Sequence, residues 1–269
     1  MVEQLLIHDD DYYVPDASQL VTEDDTPVDN FGSEKQQRLL VSTLYSAISQ
    51  NFIAAANIGI YHTDGEPPIV PDVFLSFDVQ VPANWWEKQN RCYMVWRFGK
   101  PPELVIEIVS NKEGDELGNK LKIYEQMRVS YYIVYDPSHQ LGEQTLRVFE
   151  LRPRRYFETT ETWLEQVELG LTLWQGEFEG RLDTWLRWCH QDGSVLLTPD
   201  ERAQSERLDK DQAILEKDQA ILEKDQAILE KDQAILEKDQ AILEKEQALE
   251  RSQILAERLR AMGIDPDTL

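Results

Sequence analysis

The chain has 269 residues, of which 41% are hydrophobic, enough for one well-filled core and an appendage. Its 51 acidic and 27 basic residues leave a net charge of −24, carried as −17 on residues 1–200 and −7 on the rest; neither part is a basic domain with strong non-specific affinity for nucleic acid. No apolar run approaches the length of a membrane span and the N-terminus, MVEQLLIHDDDYYVPD, has no basic region, so neither a signal peptide nor a membrane span is expected.

In chain order, residues 1–30 carry nine acids and no Lys or Arg and read as an extended or poorly ordered acidic arm. From Ser33 the pattern SEKQQRLLVSTLYSAISQNF is helical, with Ser33 as N-cap and Leu40, Leu44, Ala47 and Ile48 on the apolar face. Ile58–His62 suits a strand. Gly65-Glu66-Pro67-Pro68 then turns the chain into a strand over Pro71–Asp78, with Asp72 at its mouth. Residues 83–91 read as a loop, in which Trp85 and Trp86 pack against their surroundings or stack on nucleobases. Tyr93–Phe98 reads as a further strand. Cys92 and Cys189 sit in aromatic-rich stretches without metal-ligand spacing, the usage of two inert core thiols in a reduced, cytoplasmic compartment.

The central stretch is Glu103–Pro137. Leu104–Val109 is an apolar run of strand length whose one charge is Glu107, costly to bury without a partner. A polar turn, Ser110–Asp115, leads into a helical pattern of Leu117, Leu121, Tyr124 and Met127/Arg128, and Tyr131–Tyr135 is a second strand stopped by Asp136-Pro137. Strand, helix and strand with short connections make a parallel βαβ unit, and ligands of open α/β sheets bind at the carboxyl ends of such strands.

Beyond Pro137, Thr145–Leu151 and Arg154–Glu158 pair as a hairpin. Leu169–Gly180 reads as a turn-rich closing segment and Trp185, Leu186, Trp188 and Cys189 as a last core piece, with the globular part ending near Pro199. From Leu208 the chain repeats with a period of seven: LDKDQAI, four copies of LEKDQAI, then LEKEQAL. These residue types make a long helix, about 80 Å at about 1.5 Å per residue. No heptad register gives two apolar seam positions, since Ile at one seam position places Asp or Lys at the other. A loosely packed coiled coil, whether a homo-oligomer or a helix on a partner, and a solvated single helix both fit. The organisation expected is thus an acidic arm over 1–30, an α/β domain over 31–200 and a helical repeat tail over 201–269.

Asp72 and Glu107, at the mouths of two strands, would repel unless a cation lay between them, and Mg²⁺ takes carboxylate, carbonyl and water oxygens. A lysine nearby could orient an attacking water, and Lys120 and Lys122 are the candidates. On spacing alone, the preferred reading is Asp72 as a turn residue and Glu107 as a satisfied strand-end carboxylate.

The ordered set Pro71-Asp72, Glu107-Ile108-Val109-Ser110, Asp115-Glu116-Leu117-Gly118-Asn119-Lys120-Leu121-Lys122-Ile123-Tyr124 and Tyr131–Pro137 resembles the bacterial Uma family of restriction endonucleases, within the PD-(D/E)xK nuclease superfamily, over residues 30–195. The resemblance implies a restriction-endonuclease-like mixed sheet flanked by helices. It implies hydrolysis of DNA phosphodiesters by a Mg²⁺- or Mn²⁺-activated water, with Asp72, Glu107 and the Ile108 carbonyl as metal ligands. The superfamily lysine two residues after the glutamate is replaced here by Val109, and the resemblance points to Lys120 in its stead, leaving Lys122 a solvated face residue. Tyr124 reads as a core aromatic or a phosphate-side hydroxyl. Glu34 reads as a helix-start acid favoured by the dipole or as an accessory ligand. The competing expectation is a non-catalytic assembly protein that keeps the fold and uses its acidic surface and tail. A further one is a nuclease acting within a complex whose basic subunit binds the nucleic acid.

Overall fold

The structure, a computed structural model, describes residues 30–111 and 114–263. The acidic arm read over residues 1–30 falls, apart from Asn30, outside the described residues, as do two positions of the polar turn after the central strand. The chain divides into two compact units, one ending at Arg202 and one beginning at Ala203.

The first unit is mixed α/β. Its strands are β1 (Phe52–Ala56), β2 (Ile60–Tyr61), β3 (Val73–Phe77), β4 (Tyr93–Met94), β5 (Leu104–Ile108), β6 (Tyr131–Tyr135), β7 (Leu146–Arg152), β8 (Arg155–Thr159), β9 (Trp163–Leu164), β10 (Leu169–Phe178) and β11 (Arg181–Cys189). Its helices are α1 (Phe31–Ala47), a four-residue α2 (Val95–Phe98) and α3 (Leu121–Met127), the last preceded by a π-helical turn at Glu116–Lys120. The main sheet has six strands in the order β1-β3-β5-β6-β7-β8. Within this sheet only β5 and β6 run parallel, with Leu104 opposite Tyr131 and Ile108 opposite Tyr135, because α3 carries the chain back across one face of the sheet. The other neighbours in this sheet are antiparallel.

Side-chain alternation along β5 decides what the sheet buries on each face. Leu104, Ile106 and Ile108 point into a core shared with Leu40 and Leu44 of α1 and with Leu171, Leu186 and Trp188 of the β9–β11 sheet. Val105 and Val109 point the other way, into a second core with Tyr124, Met127, Tyr132 and Val134. Glu107 alternates onto this second face and lies under α3. A strand covered on both sides is apolar throughout, so the one carboxylate within it must be satisfied by the helix above.

Several elements differ from the sequence reading. The N-cap of α1 is Asn30, whose side chain accepts from the Ser33 N–H at 2.9 Å, while Ser33 lies buried inside the first turn. The first helix stops at Ala47, short of the Phe52 to which its pattern reads, and Phe52–Ala56 forms the edge strand β1 against β3. Tyr93–Phe98 is a strand for two residues only and then a helical turn closed by Gly99 in the left-handed region, φ 78°. Leu169–Phe178 is a ten-residue strand rather than a turn-rich segment, paired along its length with β11. Long antiparallel pairing there overrides the weak strand preference of its glycines. Cys92 and Cys189 are buried and unlinked.

Helix α4, Pro199–Ala261, begins in the first unit and makes up most of the second. Its start is a capping box: the Glu201 N–H donates to Thr198 Oγ1 at 3.2 Å, and the Thr198 N–H donates to Glu201 Oε2 at 2.8 Å. Arg187, 2% exposed, donates from both terminal nitrogens to Glu201, at 2.8 and 2.6 Å. It also donates to the Leu196 carbonyl and lies over the Trp174 ring. Within the second unit the Ile and Leu of each repeat stay about half-exposed, 49% for Ile221 and 62% for Leu222. No helix among the described residues is long and apolar enough to cross a membrane.

A chain ending at Arg202 is expected to keep a single cooperative melting transition, whereas Glu201→Gln in the full chain should lose about 2 kcal/mol. That is below the ~3–5 kcal/mol of a fully buried pair because Glu201 is partly exposed and screened. Burial works against the Glu201 charge, yet the hydrogen bonds from Arg187 and Thr198 hold its carboxyl below the ordinary value. The stabilisation is therefore present above the unfolded carboxylate pKa of about 4.3 and is lost as pH falls through the lower folded value. Thermal melts from neutral to acid pH check this: the difference in Tm between wild type and Glu201→Gln should close in acid, and a difference that persists there rejects it.

Candidate active site

Asp72 lies immediately before β3 and Glu107 is the fourth residue of β5. Val73 pairs with Ile106, so the antiparallel ladder between these strands ends just where the two carboxylates begin. Asp72 Oδ2 accepts the Ile108 N–H at 2.6 Å, completing the edge of β5 in place of a further strand residue. Its Oδ1 accepts from Gln37 Nε2 of α1 at 2.9 Å. The N–H and C=O of one strand residue share an edge, so the Ile108 carbonyl is turned toward the Asp72 side as well.

Glu107 is 1% exposed and is held from above by two side chains four residues apart on the helix. Lys120 Nζ donates to its Oε2 at 2.8 Å and Tyr124 Oη to its Oε1 at 2.7 Å. Burial pushes the Glu107 carboxyl up to about 7; the Lys120 ammonium opposes that shift and the Asp72 carboxylate adds to it. Burial works against the Lys120 charge, but Glu107, Glu116 and Asp72 together keep its ammonium above the ordinary value. Tyr124 is driven well up by burial and by the adjacent Glu107, so its hydroxyl stays protonated and acts as a donor.

The structure thus brings Asp72, Glu107, the Ile108 backbone, Lys120 and Tyr124 to one end of β3 and β5. Lys122 is exposed, about 200° around the helix from Lys120. Glu34 is not gathered in: it is half-exposed and paired with Arg38 at 3.0 Å. The α1 side chain that reaches Asp72 is Gln37, three residues on and buried, which sequence reasoning passed over because a glutamine on an amphipathic helix carries no signal of its own. Also missed was Glu116, buried beside Lys120, its Oε1 3.6 Å from the ammonium. Trp85 and Trp86 are exposed, 56% and 80%, and meet each other edge-on rather than packing inside.

A cleft of about 430 Å³ opens at the carboxyl ends of β5 and β6 on the α1 and β11 side, lined by Ser33, Gln36, Ile108, Ser110, Tyr135 and Arg181 among others; of the cluster it touches Ile108 alone. The cations around it are paired, Lys35 with Glu179 at 2.6 Å and Arg181 with Asp183 at 3.3 Å. Among the described residues no three His, Cys, Asp or Glu side chains are grouped to hold a metal ion. The donors at the Asp72–Glu107 end are two carboxylates and a carbonyl, all oxygen, a set that suits Mg²⁺ or Mn²⁺ with the remaining positions left to water.

The model of the family Uma2, described as "Putative restriction endonuclease", matches residues 19–175 and so spans Asp72, Glu107, Lys120 and Tyr124. Among solved structures the chain is similar to one titled as a putative nuclease belonging to DUF820 from Anabaena variabilis ATCC 29413. The identity is 18% and the TM-score 0.36, over 51% of this chain and 72% of that one. No curated protein matches.

Proposed function

The chain belongs to the Uma2 restriction endonuclease family, and from that membership we propose that it is a divalent-metal-dependent nuclease hydrolysing DNA phosphodiester bonds at the Asp72–Glu107 end of the sheet. One observation carries the reading. Lys120, thirteen residues after Glu107, delivers its ammonium to within 2.8 Å of that carboxylate from the helix above. It supplies the cation that Val109, buried at 2% exposure, does not.

Asp72, Glu107 and the Ile108 carbonyl would hold the ion, which when bound supplies positive charge to the phosphate and acidity to a water. The chain's own residues do the rest. Gln37 and the Ile108 N–H fix the Asp72 carboxylate, and Tyr124 fixes that of Glu107, so neither needs to reorganise as charge develops. Lys120 orients the attacking water and places charge beside the phosphoryl oxygens.

Purified protein incubated with supercoiled, linear duplex and single-stranded DNA is expected to cleave at least one form in Mg²⁺ or Mn²⁺ and none in EDTA. The paired cations of the cleft and the −17 charge of residues 1–200 favour the second reading, a non-catalytic assembly protein on the same fold. A chain inert on every form and with both ions decides for it.

A further inference from the structure

Glu116 is the first residue of the π-helical turn, and its side chain is buried although it is a carboxylate. Its backbone is fastened from below, where Tyr132 Oη donates to the Glu116 carbonyl at 2.9 Å. It is fastened from the side by Asp115, which sits at φ 52° and accepts the Asn119 N–H at 2.8 Å. Oε1 is 3.6 Å from Lys120 Nζ, beyond hydrogen-bond length, and Oε2 is buried with no hydrogen-bond partner among the described residues. Room for this side chain depends on Gly114: a Cβ there would lie 1.9 Å from Glu116 Oε1. A buried carboxylate oxygen with no donor is costly to keep, and a glycine reserved for it adds to the cost. Such a group fits an acceptor that is filled in another state of the site.

A donor stands next to this carboxylate, on its Oε1 side. Lys120 has three N–H groups, and one is spent on Glu107 Oε2. We propose that Glu116 is a positioning residue: the second seat of the Lys120 ammonium, which moves from Glu107 to Glu116 when Glu107 turns its Oε2 to a divalent ion. This rests on the proposed reading of Asp72 and Glu107 as the ion's ligands. The ammonium already stands between the two carboxylates, 2.8 Å from Glu107 Oε2 and 3.6 Å from Glu116 Oε1. The move withdraws a positive charge from the incoming ion's ligand while keeping it beside the phosphate. The residue acts on the reaction through Lys120 alone.

The test is calorimetric titration of the full chain with Mn²⁺, with thermal melts as a check on folding. Glu116→Gln is expected to weaken binding about tenfold, the lower end of what outer-shell partners of a metal site contribute. Gly114→Ala should do the same by pushing the carboxylate from its seat with its charge intact; the clash is with the far end of a flexible side chain, so the fold can yield there. Both effects should vanish in a Lys120→Met background, which a merely structural role of Glu116 would not allow. In protein labelled with ¹³C-lysine, the Lys120 Cε resonance should move on adding Mg²⁺ to wild type and stay in place in Glu116→Gln. Equal loss with and without Lys120, or no loss with either variant while wild type binds, overturns the second seat and leaves the nuclease reading standing. A wild type that takes up no ion overturns both.

Discussion

Asp72→Asn is expected to leave no measurable Mg²⁺- or Mn²⁺-dependent cleavage and to weaken ion binding by more than about 10²-fold. Removing only an outer partner of a metal ligand costs ~10–100-fold, and Asp72 would be a ligand itself. The fold should survive, because the Asn carbonyl can still accept the Ile108 N–H that Asp72 accepts at 2.6 Å. The matching change at the other carboxylate is Glu107→Gln rather than Glu107→Ala. At 1% exposure Glu107 occupies core volume, and Ala would leave a cavity as well as the buried donors of Lys120 and Tyr124 without an acceptor. Titration calorimetry checks the binding half of this prediction and a plasmid assay the other. Equal ion binding by wild type, Asp72→Asn and Glu107→Gln rejects the site.

Lys120→Ala is expected to cleave ~10²–10³-fold more slowly than wild type, the usual cost of one preorganised electrostatic group, while still binding the ion. Ammonium is not a ligand, and its removal takes away a competitor for Glu107 Oε2. The variant should also be less stable, because the buried Glu107 loses its charge partner, but Tyr124 continues to donate to the other Glu107 oxygen. Lys122→Ala should change little, its side chain being exposed on the opposite side of the helix. The assay is Mg²⁺-dependent nicking of supercoiled plasmid by the three proteins at saturating ion. Wild-type cleavage that Lys120→Ala leaves unchanged removes Lys120 from the mechanism.

Much of this was legible in the sequence, for a local reason. Residues 104–108 and 131–135 are apolar runs of strand length bounded by turn signals, and the segment between them has helical spacing, so the parallel βαβ unit follows from periodicity and chain connectivity alone. The hairpin of β7 and β8 follows in the same way. The seven-residue repeat determines a helix because nearly every residue in it favours one. Where local preference is weak, pairing partners far along the chain decided the outcome. Phe52–Ala56 is a strand because Val73–Phe77 lies beside it, and Leu169–Phe178 because it pairs with Arg181–Cys189.

The site divides along the same line. Asp72, Glu107 and Lys120 are chemically distinctive in sequence, but nothing in their spacing says that a helix residue should reach a strand residue thirteen positions earlier. That contact exists because the alternation of β5 turns Glu107 onto the face that α3 covers. The partners of these residues were beyond sequence reasoning altogether. Gln37 reaches Asp72 from a helix that the sequence places no nearer than any other, and Arg187 reaches Glu201 from a strand the sequence left as a core fragment. Glu116 looks like any solvated helix-start acid until Gly114, Tyr132 and Lys120 are seen to enclose it. A sequence carries the period of each element and the chemistry of each side chain. Which buried polar groups meet depends on register and layer order, and those are settled only when the two cores close on opposite faces of one sheet.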